Sequence, residues 1–250
     1  MPRINLFIAG VQKAGTTALA EFLESHPEFC LVKEKEAHVF DREGIEHMTL
    51  KEIDALYDNR LAHYQGEKVS CDATPIYAFF PGIAAQLARY NPKAKIIILL
   101  RDPAERALSH YQMEKRRGNE FMGFLQALIS ERRRLSSEPD LYKSDSSWRI
   151  HSYRNRGHYA SQLDNLYRFF PQEQVLVLRS SDLLNNHSDT FDKVIEFLDL
   201  SPMACLPRKV FSGDYRVGLR KRFTLALLRL YYFPEYWRLR KRYGIELMRR

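Results

Sequence analysis

The chain has few cysteines and no long apolar run, and both scarcities exclude classes of protein. Its three cysteines, Cys30, Cys71 and Cys205, are odd in number, far apart and without a C-x-x-C spacing, which excludes a disulfide scaffold and gives no sign of a metal or redox site. The apolar run from Leu6 to Ala9 is too short for a signal peptide or a membrane span, and no other stretch reaches membrane length. We therefore expect a cytoplasmic protein with buried, reduced cysteines and no bound metal.

Acidic residues are scarce at the end of the chain, and this scarcity accounts for the whole excess of positive charge. Residues 216–250 hold eleven Arg or Lys against only Glu235 and Glu246, a net charge of +9. The rest of the chain has 28 basic and 29 acidic residues, a net charge of −1. The charge of +8 is thus local, and we expect no nucleic-acid partner.

Neither internal repeats nor low-complexity segments occur, and 250 residues of ordinary globular composition fit one α/β domain over residues 1–250. Apolar runs and their periodicity predict alternating strands and helices, which favours a parallel sheet with helices on both faces. The predicted strands are Ile4–Ala9, Lys95–Leu100 and Val175–Leu178. The predicted helices are Thr16–Ser25, a helix capped by Asp102-Pro103, Tyr159–Phe170 and Ser188–Leu198.

The middle and the end of the chain depart from this alternation. A helix around Phe121–Arg134 is followed by a polar stretch, residues 136–147, which we expect to be a mobile loop or lid. After a turn at residues 211–214, residues 219–250 are predicted to form a basic helical extension broken at Phe233-Pro234.

The loop Gly10-Val11-Gln12-Lys13-Ala14-Gly15-Thr16-Thr17 stands where a strand passes into a helix. Backbone N–H groups in such a loop, together with the helix N-terminus, form a cradle for phosphate. The spacing is close to the nucleoside-triphosphate loop G-x-x-x-x-G-K-[ST], but the lysine precedes the second glycine and Thr16 takes its usual place. We expect a P-loop-like fold whose site binds a phosphorylated nucleotide without metal.

A second candidate anion site follows the strand Lys95–Leu100. Arg101 lies at the carboxyl end of that strand, where ligands of open α/β sheets bind, and Ser109 lies two helical turns further on. The guanidinium of Arg101 and the hydroxyl of Ser109 are suited to a second phosphate of the same nucleotide. For Arg101 alone, an ion pair with a nearby carboxylate is the competing interpretation.

Four ordered segments together resemble the sulfotransferases that use 3′-phosphoadenosine 5′-phosphosulfate. They are Gln12–Leu19, Lys35-Glu36-Ala37-His38-Val39-Phe40, Arg101-Asp102-Pro103 and Ser109. The similarity is to the branch that includes heparan sulfate sulfotransferases and bacterial relatives, and it extends from Asn5 to about Gly218. Weaker matches are Ala73–Tyr77, Arg156–Ala160 with Leu163, Phe169–Pro171, and Ser212-Gly213 with Arg216.

The resemblance implies a role for each matching residue. The residues implied to hold the 5′-phosphosulfate of the donor are Lys13, Ala14, Gly15, Thr16 and Thr17. Arg101 and Ser109 are implied to hold the 3′-phosphate, which is retained in the product adenosine 3′,5′-bisphosphate. A late loop in the family closes over the adenine and the 3′-phosphate, and it matches Ser212, Gly213 and Arg216 here.

The resemblance leaves two candidates for the base that takes the acceptor proton. Glu36 matches the carboxylate that acts as base in the glycan sulfotransferases, and Lys13 is placed to offset charge on the leaving phosphate. His38 is the competitor, because a histidine does this work elsewhere in the superfamily. The family has proline where this chain has Ala37, so a less rigid loop is expected. Read without the resemblance, residues 33–36 are a solvated charged loop.

The implied reaction is sulfuryl transfer to an acceptor hydroxyl, on a small molecule, a carbohydrate or a glycolipid. A nucleotide kinase is the rival enzyme, disfavoured by Thr16 and by the lack of a clear acidic Mg²⁺ ligand. The alternative that is not an enzyme is a nucleic-acid or membrane-binding module based on the basic extension. The extension itself predicts either a helical cap with a solvated face or contact with an anionic membrane or acceptor. The sequence leaves the oligomeric state open.

Overall fold

The computed structural model describes residues 2–203 and 218–247, which hold five strands and eleven α-helices. The strands are β1 Leu6–Gly10, β2 Phe29–Leu31, β3 Val69–Asp72, β4 Lys95–Leu100 and β5 Val175–Arg179. The helices are α1 Thr16–Leu23, α2 Leu50–Asp58, α3 Ile83–Tyr90, α4 Pro103–Arg116, α5 Phe124–Ser136, α6 Ser147–Ile150, α7 Tyr159–Tyr167, α8 Ser180–Asn185, α9 His187–Leu198, α10 Leu219–Tyr231 and α11 Phe233–Tyr243.

These elements belong to two compact units. Among the described residues, the first unit comprises residues 2–100 and 163–203, and the second comprises residues 101–162 and 218–247. The first unit contains all five strands. The second unit is helical. That the whole chain acts as one domain stays a prediction.

The first unit is built on a parallel sheet with the strand order β2-β3-β1-β4-β5. β1 and the residues of β4 after Lys95 are apolar and buried on both faces, as expected for a parallel sheet between helix layers. Across the sheet, the connection from β1 to β2 runs in one direction, and the connection from β2 to β3 runs in the opposite direction. Because such crossovers are right-handed, α1 and α2 cover opposite faces, and the predicted P-loop-like sheet with flanking helices is confirmed.

The sequence predicted the long apolar elements and missed the short polar ones. The predicted strands correspond to β1, β4 and β5, and the predicted helices to α1, α4, α5, α7 and α9, with ends that differ by a few residues. Asp102 caps α4, since its carboxylate accepts the N–H of Glu105 at 2.9 Å. The missed strands have only three and four residues, and β3 contains Ser70 and Asp72, which weaken the apolar signal.

An aromatic cluster fills the first unit beside β1. Phe40 packs edge-on against Phe7, Tyr77 and Tyr90, with ring centroids 5.4–5.7 Å apart. Cys30 and Cys71 are buried and free, as predicted, and Cys205 lies outside the described residues.

The second unit packs α10 and α11 onto α4 and α5. Its apolar cluster includes Tyr111, Phe124, Leu128, Leu225, Leu228, Tyr232 and Tyr236. The predicted break of the extension at Pro234 is confirmed, since α10 ends at Tyr231 and Pro234 lies in the first turn of α11. Residues 137–146 have no helix or strand and are held by local bonds, such as that from the Trp148 indole to the Glu138 carbonyl. Their mobility stays a prediction.

Within the described ranges, no helix is both long and apolar enough to cross a membrane.

Candidate active site

The loop between β1 and α1, residues 10–17, is a tight turn that ends at a helix N-terminus, and it is called the phosphate loop below. Gly15 has φ +100° and Lys13 has φ +73°, so the chain reverses sharply before α1 begins at Thr16. The loop is braced by two backbone bonds, Val11 N–H to Leu99 O at 2.9 Å and Ala14 N–H to Val11 O at 3.1 Å. The first N–H groups of any α-helix have no acceptor within the helix and carry partial positive charge.

The structure thus brings the predicted loop residues onto one turn. These are Lys13, Ala14, Gly15, Thr16 and Thr17. Thr16 is buried, Thr17 is exposed, and Lys13 is half-buried. Gly10 is needed for packing, because a Cβ there would come within 3.0 Å of the Ala78 methyl carbon.

The segment after β2, residues 33–40, carries both candidate bases and is called the base loop below. The His38 ring lies between two carboxylates, with Nδ1 2.7 Å from Asp41 Oδ2 and Nε2 3.5 Å from Glu36 Oε2. Lys35 Nζ contacts the other oxygen of Glu36 at 3.1 Å. Sequence reasoning missed Asp41, although a carboxylate three residues after a candidate histidine is a readable signal.

These contacts set opposite protonation states for the two candidate bases. The hydrogen bonds from the His38 ring to Asp41 and Glu36 raise the pKa of His38 to about 9, against the effect of burial. Burial alone would raise the pKa of Glu36, but its hydrogen bond to His38 and the charge of Lys35 lower it. At neutral pH, Glu36 is therefore an ionised acceptor, and His38 is a cation with no lone pair for a proton.

The backbone of the base loop is held in an unfavourable conformation. Glu34, Lys35 and His38 all have positive φ, at 64°, 31° and 48°. Such a conformation costs a non-glycine residue about 1–3 kcal/mol and persists only where the surroundings enforce it. The base loop therefore needs an anchor.

Buried Asp72, at the end of β3, supplies that anchor. Its carboxylate accepts hydroxyl bonds from Tyr57 at 2.7 Å, Thr74 at 2.5 Å and Tyr77 at 2.9 Å. Two of these hydroxyls also accept backbone N–H groups of the base loop, that of His38 on Thr74 at 3.4 Å and that of Val39 on Tyr77 at 2.9 Å. Burial raises the pKa of Asp72, and the hydrogen bonds oppose that rise.

The sheet order places the base loop and the phosphate loop at one edge. Both follow the carboxyl ends of parallel strands, and β3 runs between β2 and β1. The segment after β3 is hydrogen-bonded to the base loop on one side, through Ala73 N–H to Lys35 O at 3.3 Å. On the other side it is hydrogen-bonded to β1, through Ala78 N–H to Ala9 O at 2.9 Å. The edge thus combines an anion cradle with an ionised carboxylate, two groups that suit transfer of an anionic group to a hydroxyl.

Arg101 and Ser109, the predicted second anion site, belong to the second unit. Arg101 lies two residues before α4, and its guanidinium lies 3.4 Å from Glu105, so the ion pair considered from the sequence is present. Its carbonyl accepts the Tyr159 hydroxyl at 3.0 Å. Ser109 is buried in α4. Ser212, Gly213 and Arg216, the predicted late loop, lie outside the described residues.

The segment Arg156–Ala160, matched weakly in the sequence, stabilises the second unit. Arg156 is buried and donates to the carbonyls of Trp148 at 2.9 Å and Arg149 at 2.8 Å. Burial lowers the pKa of Arg156 to about 9. Gly157 lies directly against the Tyr232 ring, so a larger residue would collide with it.

A parallel sheet of this order with a glycine turn between its first strand and a helix defines an α/β fold of the P-loop-like class. The family model described as "Sulfotransferase domain" matches residues 3–210. The chain belongs to the sulfotransferase domain family.

Relatives and solved structures agree with this assignment. The chain is 29% identical over 200 residues to mouse heparan sulfate glucosamine 3-O-sulfotransferase 6, covering 77% of this chain and 51% of that protein. It is 34% identical over 110 residues to the membrane-associated sulfotransferase kil1 of Dictyostelium discoideum, covering 43% of this chain and 22% of that protein. A crystal structure of a sulfotransferase from Alicyclobacillus acidocaldarius superposes with TM-score 0.76 and 27% identity over 96% of each chain. The chain spans about half the length of the heparan sulfate relative.

Proposed function

We propose that the protein transfers a sulfuryl group from 3′-phosphoadenosine 5′-phosphosulfate to an acceptor hydroxyl on a carbohydrate or glycolipid. The acceptor oxygen attacks sulfur in line, the bond from sulfur to the phosphate oxygen breaks, and adenosine 3′,5′-bisphosphate leaves. The acceptor proton passes to a carboxylate oxygen of Glu36. Membership of the sulfotransferase domain family supports this reaction class.

The observation that carries the choice of base is the position of the His38 ring between two carboxylates, 2.7 Å from Asp41 and 3.5 Å from Glu36. Glu36 is ionised and His38 is protonated at neutral pH. Only the carboxylate then has a lone pair available for the acceptor proton, and a positioned base contributes about 10²–10⁴-fold to the rate. His38 orients Glu36, and Asp41 fixes the ring of His38 from the other side.

The donor assignments follow the resemblance. Lys13 and the N–H groups of residues 14–17 bind the 5′-phosphosulfate, and Lys13 offsets the negative charge that builds on the leaving phosphate. Arg101 and Ser109 bind the 3′-phosphate. Ser212, Gly213 and Arg216 remain proposed contacts of the adenine and the 3′-phosphate.

A glycan hydroxyl is the favoured acceptor because several relatives are named for heparan sulfate glucosamine 3-O-sulfation. The base loop suits such an acceptor, since an ionised carboxylate can both orient a sugar hydroxyl and take its proton. The cytoplasmic location expected from the sequence stays a prediction.

The donor is tested by thermal unfolding with nucleotides. Adenosine 3′,5′-bisphosphate at 100 times its Kd, without metal, should stabilise the fold by about 2.7 kcal/mol. ATP with Mg²⁺ should give a smaller shift at the same concentration. A larger shift with ATP and Mg²⁺ would favour the kinase and contradict the proposal.

The reaction is tested by transfer of labelled sulfate from the donor to a panel of glycans and glycolipids, followed by mass spectrometry. A sulfated hydroxyl on a panel member is the expected product. Sulfation confined to non-carbohydrate acceptors would refute the acceptor class but leave the donor chemistry standing.

A further inference from the structure

Helix α10 is apolar on two opposite sides, of which only one is buried. Leu225, Leu228 and Tyr232 pack into the core of the second unit. On the opposite side, Leu219 is 83% exposed and Leu230 is 71% exposed. An apolar side of a helix is normally packed against another surface. The outer side of α10 therefore has the composition of a covered surface.

Helix α11 also has an exposed apolar side. Its inner residues Tyr236 and Leu239 are buried, whereas Phe233 and Trp237 are 60% and 56% exposed. We define the outer face as Leu219, Phe223, Leu227 and Leu230 of α10 with Phe233 and Trp237 of α11. Scattered exposed apolar residues are ordinary, but four along one side of α10 and two more on the next helix are a concentration of the kind that marks an interaction site.

Basic side chains accompany the outer face. Residues 218–247 contain eight Arg or Lys against Glu235 and Glu246, a net charge of +6, and one of the eight, Arg229, pairs with Asp102 and Glu105. Glu235 is buried, and Glu246 already pairs with Arg240 at 3.1 Å. Lys241 Nζ lies 4.7 Å from the centre of the Trp237 ring. Among the described residues, no carboxylate lies within ion-pair distance of Lys221 or Arg222.

We propose that the outer face binds the surface of an anionic lipid bilayer, with α10 and α11 lying in the headgroup region. Helices of this kind place Leu, Phe and Trp at the acyl boundary and their Lys and Arg among anionic headgroups. The helices remain packed on the second unit by their inner faces. The interaction does not depend on the proposed sulfuryl transfer, because it uses none of the residues assigned to donor or base.

Charge and polarity separate this partner from two others. A symmetric dimer would place the same positive face on both subunits, so its basic residues would repel each other. A hydrated polyanionic glycan would neutralise the basic residues but would not cover the apolar side chains of Phe223 or Leu227. An anionic bilayer does both.

The test uses the full chain with phosphatidylcholine vesicles, with and without phosphatidylglycerol, in a sedimentation assay. Binding should require the anionic lipid and should weaken at high salt. Trp237 fluorescence should shift to the blue on binding, and Trp237→Phe should abolish that shift. The double variant Phe223→Ser with Leu227→Ser should lose at least tenfold in vesicle affinity while keeping its unfolding transition and its affinity for adenosine 3′,5′-bisphosphate.

A matched control is Phe169→Ser, because Phe169 is an exposed aromatic residue of the first unit at 44%. Its vesicle affinity should stay within twofold of the wild type. The proposal is overturned by absence of vesicle binding, or by binding that the double variant does not weaken and that leaves Trp237 fluorescence unchanged. The proposal is also overturned if the wild type binds no vesicles but forms a dimer that is lost in the double variant, because the partner would then be a second copy of the chain.

Discussion

The hydroxyl of Tyr77 donates to the buried carboxylate of Asp72 at 2.9 Å. The oxygen of that hydroxyl also accepts the backbone N–H groups of Val39 and Phe40 in the base loop. One hydroxyl thus connects the end of β3 to the segment that carries Glu36. The connection explains how a loop with three non-glycine residues at positive φ keeps one conformation. It makes Asp72 and Tyr77 positioning residues in the proposed reaction.

Tyr77→Phe should therefore reduce both stability and transfer. Loss of the hydroxyl leaves two buried N–H groups and one carboxylate bond unsatisfied, which costs about 1–3 kcal/mol in free energy of unfolding. Transfer should slow further because Glu36 is no longer held in place, while affinity for the donor is kept. Urea unfolding and single-turnover transfer measure the two effects.

The control is Tyr90→Phe, since the Tyr90 hydroxyl also accepts a backbone N–H, that of Ile4 at 3.3 Å, outside the base loop. It should destabilise the fold without a separate loss of transfer. Equal transfer rates in the two variants would mean that the Tyr77 bond is structural only.

The raised pKa of His38 predicts a dependence of stability on pH. A histidine whose pKa rises to about 9 on folding stabilises the protein fully below pH 6.5, its ordinary pKa, and this contribution is lost as the pH rises to about 9. The difference in unfolding free energy between the wild type and His38→Gln should thus shrink from pH 6 to pH 9.5. Since His38 is half exposed, screening keeps the effect small.

His47→Gln is the control for replacement of a surface histidine, because the His47 side chain is 84% exposed. A difference between His38→Gln and the wild type that stays constant up to pH 9.5 would show that His38 is not held as a cation.

Glu36→Gln should reduce single-turnover transfer by about 10²–10⁴-fold, because the amide keeps the shape of the side chain but accepts no proton. The affinity for adenosine 3′,5′-bisphosphate should not change. His38→Gln should cost less, and the exposed neighbour Glu34→Gln should have no effect. If His38→Gln is inactive while Glu36→Gln transfers at the wild-type rate, the histidine is the base.

Arg101→Ala should weaken adenosine 3′,5′-bisphosphate about 10–150-fold, the equivalent of a charge-assisted hydrogen bond of 1.5–3 kcal/mol. It should barely change the affinity for 5′-AMP, which has no 3′-phosphate. Glu105→Gln is the matched control, because it removes the carboxylate 3.4 Å from Arg101 and keeps the guanidinium. Titration calorimetry measures the affinities of the wild type and the two variants for both nucleotides. Equal losses of affinity for both nucleotides in Arg101→Ala would remove Arg101 from the 3′-phosphate site.

The structure also changes what can be learned from shortening the basic extension. Removal of residues 236–250 would take away Tyr236 and Leu239, which are buried, and the bond from the Tyr236 hydroxyl to Asp102 at 2.8 Å. The inner side of α11 is thus a structural cap, as one interpretation of the sequence held. Point substitutions on the outer face are the informative experiment.

The sequence by itself determined the phosphate loop, because a glycine turn between an apolar strand and a helix specifies its structure locally. The resemblance alone proposed Glu36 and His38 as candidate bases. The sequence likewise determined β4 with the capped helix α4. These signals lie within a few neighbouring residues, so chain order alone carries them.

Only the tertiary structure decided the states of Glu36 and His38 and which side of α10 is left exposed. The hydrogen bond from His38 to Asp41 needs the turned base loop, and that turn depends on Asp72, which is 34 residues beyond His38 in the chain. Likewise, Leu225 and Leu227 are leucines two positions apart in α10, yet Leu225 is buried and Leu227 is exposed. A pKa and a buried face depend on which distant groups come close on folding, and neighbouring residues do not contain that information.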